Sequence, residues 1–463
     1  MAYVEKKTPV CDALVERDKK AIAKCNHLSY YNFVVESGNG SILKDHDGYQ
    51  YIDFLTSASS LNTGVNHPKV KAAVQAQLEK FTQYTAAYTY NQPAIEYAEK
   101  LNSVYPGQVP AKVCFGNCGS DSNDAAIKFS RAYQSGKKGA ACTKIITFID
   151  GYHGNTYGSS SLSTCTTRMR DKMGPFLPDI FHFPFYAETD EKHDDDYFVK
   201  EIKQAFATYL PPDEVAAIII EPIQGDAGLL SADHRFMKAL YNLCQEHNIL
   251  FISEEVQQAF GRAGYWFSIE AYGIVPDGII MGKSIGGGLT LGAFMAKAEI
   301  MECLPAPAHL FTLGANAIAC AAGSAQFDVI KEMLDGPALG NITAVMNQCL
   351  AKLKQDHPRV VGKISGANMS RGVYITLNGH DGPATQADKD ACFKILFDGY
   401  NQTDKSKNGL IMISLAANVL RIQPALTITA GQLEEGFKII GEAMTKYENG
   451  EIPDSVLRHR AGW

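Results

Sequence analysis

The chain predicts an α/β fold: a large domain built on a mostly parallel sheet flanked by helices, and a small α+β domain drawn from both termini. Three observations predict it. From about Lys112, short β-branched runs alternate with amphipathic stretches, as crossover units of a parallel sheet require. From about Asn341, helix-then-strand alternation resumes as a separate block. Before residue 68, turn-separated strand-like pieces stand apart from both. The 463 residues, 46% hydrophobic and 20% charged, suffice for two or three domains with a sizeable core. The boundaries read 1–67 for the N-terminal part of the small domain, 68–340 for the large domain, and 341–463 for the C-terminal part of the small domain.

Along the chain, Ser41 to Phe54 holds Asp47-Gly48 between alternating apolar residues, a hairpin signal. Pro68 opens a helix in which Val70, Ala73, Val74, Leu78 and Phe81 recur at three- and four-residue steps. Strand candidates follow at Lys112–Phe115, Lys144–Phe148, Ala216–Ile220, Ile249–Ile252 and Gly278–Met281, with helices at Asn123–Tyr133 and Phe236–His247 between them. Gly372–Thr376 and Val419–Ile422 are strand candidates of the small domain.

Lys plus Arg number 43 and Asp plus Glu 50, and a net charge of −7 argues against a nucleic-acid binder. Eleven scattered cysteines without CxxC spacing read as reduced thiols. Neither a secretory signal nor a membrane-length apolar run is seen, so a cytoplasmic protein with no membrane partner is expected.

Asp277-Gly-Ile-Ile-Met-Gly-Lys283-Ser-Ile-Gly-Gly-Gly288 ends a strand in a lysine followed by glycines. A nucleotide phosphate loop needs glycine at position 277, where aspartate stands. Two readings remain: an amine at the end of a buried strand, able to form a Schiff base, or a solvated lysine in a turn. Gly116 to Asp124 follows a strand and opens a helix, where Gly119 and Ser120 offer an anion seat or an ordinary cap. Glu254-Glu255-Val256-Gln257 leaves a strand with an acid that can face a protonated ring nitrogen or water. Gly151-Tyr152-His153-Gly154 places an aromatic plane in a glycine-flanked turn. In this order on one parallel sheet, these segments describe a site for a phosphorylated, planar, aldehyde-bearing cofactor.

At these residues the sequence resembles the class III aminotransferases, pyridoxal 5'-phosphate enzymes of fold type I, from about Asn32 to Tyr447. The resemblance implies a seven-stranded type of sheet and a cofactor joined covalently to Lys283. It places the Gly119-Ser120 turn on the phosphate, Tyr152 and Val256 on the two ring faces, and Gln257 on the phenolic oxygen. Glu254 stands where the family has the aspartate that faces the pyridine nitrogen; Cys118 and Ala317 replace a family serine and proline. Thr312 matches a residue lent to the neighbouring subunit's phosphate, which implies a homodimer or a dimer of dimers with shared active sites. Ser57-Ala-Ser59, Glu221 to Asp226, Pro307 to Thr312 and Leu415 to Arg421 are most similar to the isoleucine 2-epimerase branch of amino-acid racemases.

That branch implies interconversion of L- and D-amino acids at Cα, with Lys283 moving the proton on one face and Asp226 on the other. Arg421, Ser57 and Tyr30 are the implied substrate-binding residues. Arg421 is expected to neutralise Asp226 until a substrate carboxylate competes for it. Tyr30, Tyr31, Tyr84 and Tyr88 are candidates for an apolar pocket wall, and no metal is expected. The alternative is a class III aminotransferase acting on 4-aminobutyrate or another ω-amino acid; a catalytically silent cofactor-binding protein is a third reading.

Overall fold

The computed structural model describes residues 3–380 and 382–460. The chain divides into two compact units, residues 68–334 and residues 1–67 with 335–463.

The larger unit is built on seven strands: β1 (Ala111–Gly116), β2 (Lys144–Phe148), β3 (Ile180–Phe183), β4 (Val215–Ile220), β5 (Leu250–Glu254), β6 (Gly278–Met281) and β7 (Gly292–Lys297). Their spatial order is β1-β7-β6-β5-β4-β2-β3. β7 runs antiparallel to both its neighbours, and the other pairings are parallel. β4 is buried at every position, as a strand covered on both faces must be. Helix α1 (Gly119–Lys138) sets Ala125, Ala126 and Phe129 into a core with Ile219, Ile252 and Phe294. Phe129, Ile219, Ile252 and Phe294 each contribute about 1.5–3 kcal/mol on burial, and each alanine about 0.8 kcal/mol. The carboxyl ends of β1, β2, β4, β5 and β6 lie along one edge of this sheet, where open α/β folds gather their ligands.

Helix Pro68–Leu78 stops short of Phe81, and its inward face differs from the apolar spacing. Gln77 is buried and donates Nε2 to the Phe81 carbonyl at 3.0 Å, whereas Leu78 and Phe81 are exposed.

In the other unit, strands Val35–Asn39, Ile42–Asp45 and Gln50–Asp53 form a meander, and Asn408–Ile411 adds to it in parallel with Gln50–Asp53. Both ends of the sequence therefore share one sheet. Gly48 turns the hairpin at φ 88°. A second, antiparallel sheet runs Val361–Ala367, Ser370–Ile375, Val419–Ile422, Ile413–Leu415. Thr56 to Ser59 form a left-handed turn with φ of 47°, 49°, 56° and 66°. L-residues pay about 1–2 kcal/mol each for that conformation. Opposing this cost, Asp53 Oδ1 accepts the N–H groups of Leu55 and Thr56, each at 2.8 Å, and Thr56 Oγ1 donates to the Gln423 carbonyl at 2.7 Å. Among the described residues no helix is long and apolar enough to cross a membrane.

Candidate active site

β6 delivers Lys283, half-buried and at φ 48°, a conformation that residues other than glycine rarely adopt. The turn that follows is held from outside: Gln326 Nε2 donates to Ser284 Oγ at 2.9 Å, and Tyr97 donates its hydroxyl to the Ile285 carbonyl at 2.7 Å. β1 delivers the start of α1. There Asp121 accepts the N–H of Asn117 at 2.8 Å and that of Cys118 at 3.0 Å. The next N–H groups, on Gly119 and Ser120, open the helix and have no partner within it. Ser120 Oγ accepts the N–H of Asn155 at 3.1 Å, which leaves its own proton to give. Val256 packs over this turn; a Cβ on Gly119 would come within 2.7 Å of its Cγ1.

β5 ends in two acids with different surroundings. Glu255 accepts from Ser253 Oγ, Ser268 N, Ser268 Oγ and Ile269 N at 2.8–2.9 Å and so anchors the 268–269 turn. Glu254 is buried beside Asn123, Glu221 and Lys283. Burial and then the Glu221 charge push its carboxyl well above the usual range, against the pull of Lys283. After β4, Glu221 accepts the N–H of Tyr152 at 2.9 Å and that of Gly225 at 3.2 Å. Tyr152 is half-buried and accepts from Asn155 Nδ2 at 3.1 Å. Burial first and Asp226 second push its phenol up to about 12. The same two causes push Cys165 up to about 12, so this thiol belongs to the cluster as well. Asp226 is half-buried in the turn between Gln224 and Leu230, near enough to Tyr152, Cys165 and Glu221 to act on all three through its charge. Gln257 is buried against the same turn, where a Cβ on Gly225 would meet its Oε1 at 2.4 Å.

Lys283, Gly119, Ser120, Tyr152, Glu254, Val256, Gln257 and Asp226 thus share one sheet edge. Thr312 is exposed on the loop before helix Ala317–Asp335, and its carbonyl accepts from Gln83 Nε2 at 3.5 Å. Three substrate candidates lie in the other unit. Arg421 sits in the middle of its antiparallel sheet and donates Nε to Gln423 Oε1. Ser57 lies in the left-handed turn, and Tyr30 is buried with its hydroxyl donated to the Ser414 carbonyl at 2.7 Å. Of the aromatic wall candidates in the larger unit, Tyr84 and Tyr88 are 68% and 87% exposed. The sequence reading gave no role to Glu221, Asn123 or Cys165; an acid directly after an all-apolar strand was the available signal for Glu221.

The donor set fits a phosphorylated pyridine aldehyde. Helix-start N–H groups suit a phosphate, a strand-end amine suits an aldehyde, and a buried acid suits a basic ring nitrogen. The buried Asn123 Oδ1 has no hydrogen-bond partner among the described residues, and no cluster of metal-ligating side chains is found among them. Fold and site together define a pyridoxal-phosphate enzyme.

The chain belongs to the class III aminotransferase family, whose model matches residues 24–444. It is 37% identical to the isoleucine 2-epimerase of Lentilactobacillus buchneri, across 97% of this chain and 98% of that one. It is 32% identical to the leucine/methionine racemase of Thermococcus litoralis, across 98% and 99% of the two chains. A transaminase from the marine bacterium Virgibacillus shares the fold at a TM-score of 0.84 with 24% identity, over 95% of this chain and 99% of that one.

Proposed function

We propose that this protein is a pyridoxal-phosphate-dependent amino-acid racemase or epimerase that exchanges the α-proton between two faces. The observation that carries the reading is Asp226: a half-buried carboxylate close enough to Tyr152 and Glu221 to shift both, in the cluster that holds Lys283. The likeness to an isoleucine 2-epimerase and a leucine/methionine racemase supports it and favours apolar amino acids as substrates.

Gly119 and Ser120 would hold the phosphate through N–H groups and hydroxyl, Tyr152 and Val256 would pack on the ring, and Gln257 and Glu254 would serve its phenolic oxygen and its nitrogen. When bound, pyridoxal phosphate supplies an electron sink that makes the α-proton of an attached amino acid removable. Lys283 would hold the cofactor through its amine and, as a free amine, would move the proton at Cα on one face. Asp226 would move it on the other, and substrate binding is assigned to Arg421, Ser57 and Tyr30, with the Arg421 guanidinium suited to a carboxylate.

The reading includes a homodimer in which Thr312 serves the partner's phosphate. Its support is an exposed apolar surface on two neighbouring segments: Phe81, Tyr84, Tyr88 and Tyr90 on one, Leu310 and Leu313 on the other. The segments are joined by the Gln83–Thr312 bond and by Asn91 Nδ2 donating to the Ala315 carbonyl at 3.3 Å. It also includes the cytoplasm, with eleven free thiols as support.

Incubating the purified holoenzyme with single L- or D-amino acids and no keto acid tests the reaction. Chiral chromatography should show the opposite enantiomer accumulating. Turnover only after a keto acid is added would make the enzyme a transaminase.

A further inference from the structure

Glu221 is a buried acid of the site whose two oxygens reach two different loops. Oε1 takes the N–H of Tyr152, in the turn after β2, and Oε2 takes the N–H of Gly225, the residue before Asp226. Gln224 adds a second tie between these loops, donating Nε2 to the Ile149 carbonyl at 2.9 Å. Gly151 lies in the same loop as Tyr152, where a Cβ would press on His153 Nε2 at 2.9 Å and on the Phe148 carbonyl oxygen at 3.1 Å but would meet Glu221 Oε1 only in ordinary contact at 3.5 Å. Burial opposes a charge here and the Asp226 carboxylate adds to that opposition, while the two N–H groups and Lys283 favour it. An apolar side chain would fill the same volume without that penalty, so the acid is explained by what its oxygens hold.

We propose that Glu221 is a positioning residue for proton transfer at Cα, fixing the aromatic face at Tyr152 and the carboxylate of Asp226 in one register through two backbone amides. The proposal rests on the racemase reading, in which Asp226 serves one face alone. Misplacing a reacting group by about 1 Å costs on the order of a hundredfold in rate. Loosening the tie therefore slows the Asp226 face more than the Lys283 face, which the turn after β6 holds independently.

The test uses Glu221→Gln holoenzyme, whose side chain has one acceptor oxygen in place of two. Two measurements are made: amide hydrogen exchange by mass spectrometry over peptides containing Tyr152 and Gly225, and α-deuterium incorporation in heavy water from each enantiomer. At least one of the two amides should exchange about tenfold faster. With cofactor absorbance retained, the ratio of α-exchange from the two enantiomers should shift by about fivefold or more. Glu221→Asp, one methylene shorter, should show the same pattern and stands in if the glutamine variant does not fold. Unchanged protection at both amides, or an equal fall for both enantiomers, overturns the proposal. If the unmodified enzyme exchanges no α-proton without a keto acid, the racemase reading fails, and with it the claim about faces. Amide protection then decides the tie between the loops by itself.

Discussion

Gly282 lies against the backbone of Gly119: a Cβ at position 282 would stand 2.8 Å from Gly119 N and 2.9 Å from its Cα. The residue before Lys283 and the first residue of α1 are thus in contact through main chain, with no side chain between them. That contact fixes the spacing between the amine and the phosphate seat. Gly282→Ala must push the strand end and the helix start apart, at a cost of about 1–3 kcal/mol for overpacking. Calorimetry should show a lower Tm, and dialysis should strip the cofactor faster. An unchanged Tm with normal retention would mean that the contact has slack.

Lys283→Ala should remove the visible absorbance of the lysine-bound cofactor and all turnover, with the far-ultraviolet circular dichroism preserved. The turn after β6 is held by Gln326 and Tyr97, so the fold should survive. A visible band of normal intensity in the variant would place the cofactor on another amine.

The sheet and its site-bearing ends were legible because a parallel strand buried on both faces needs an unbroken apolar run, and its exit needs glycines. β4 has the run and leaves through Glu221-Pro222, with glycine only at 225, whereas β6 exits directly into Gly282. β7, Gly-Ala-Phe-Met-Ala-Lys, has no β-branched residue, so its propensity gave no warning of a central strand. Gly292 explains its composition: a Cβ there would lie 2.2 Å from the Cys118 carbonyl oxygen. Glu221 was visible as a letter but not as a tie, because its amide partner at Tyr152 is 69 residues away. The left-handed Thr56-Ser-Ala-Ser59 turn has no glycine to announce it; it is imposed by Asp53 and by the Gln423 carbonyl.

Asp388 caps helix Gln386–Tyr400, accepting from Thr385 N at 2.7 Å, Thr385 Oγ1 at 2.6 Å, Leu377 N at 2.8 Å and His380 Nε2 at 2.8 Å. Desolvation raises its carboxyl, but the donors from Thr385, Leu377 and His380 outweigh that and bring it from 3.8 down to about 2. A depressed folded value means that the unfolded chain binds the proton first as acid is added. The stability from this group is therefore complete above about pH 4 and is lost as pH falls through about 2. With solvent screening allowed for, it amounts to about 1–2 kcal/mol. Asp388→Asn should lower stability near neutrality by that order in urea titrations and flatten the acid limb below pH 4. A parallel offset at every pH would show that the carboxylate's charge contributes nothing.

Asp226→Asn separates a second base from a structural turn residue. Asparagine has nearly the same shape, and the Gly225–Gly228 turn closes through the backbone, with the N–H groups of Gly228 and Leu229 on the Gly225 carbonyl at 3.3 Å and 3.1 Å. The turn should therefore persist, the cofactor should bind with unchanged absorbance, and only the ability to accept a proton is removed. If Asp226 serves one face of Cα and Lys283 the other, the enantiomer whose α-proton faces Asp226 should lose α-deuterium exchange by about 10²–10⁴-fold, the usual worth of a general base. The other enantiomer should still exchange by way of Lys283, while net racemisation stops in both directions because each needs both faces. The pairing of lost racemisation with one-sided exchange is the diagnostic result. Equal loss of exchange from both enantiomers would place Asp226 outside the proton path, as a residue that orients substrate or cofactor.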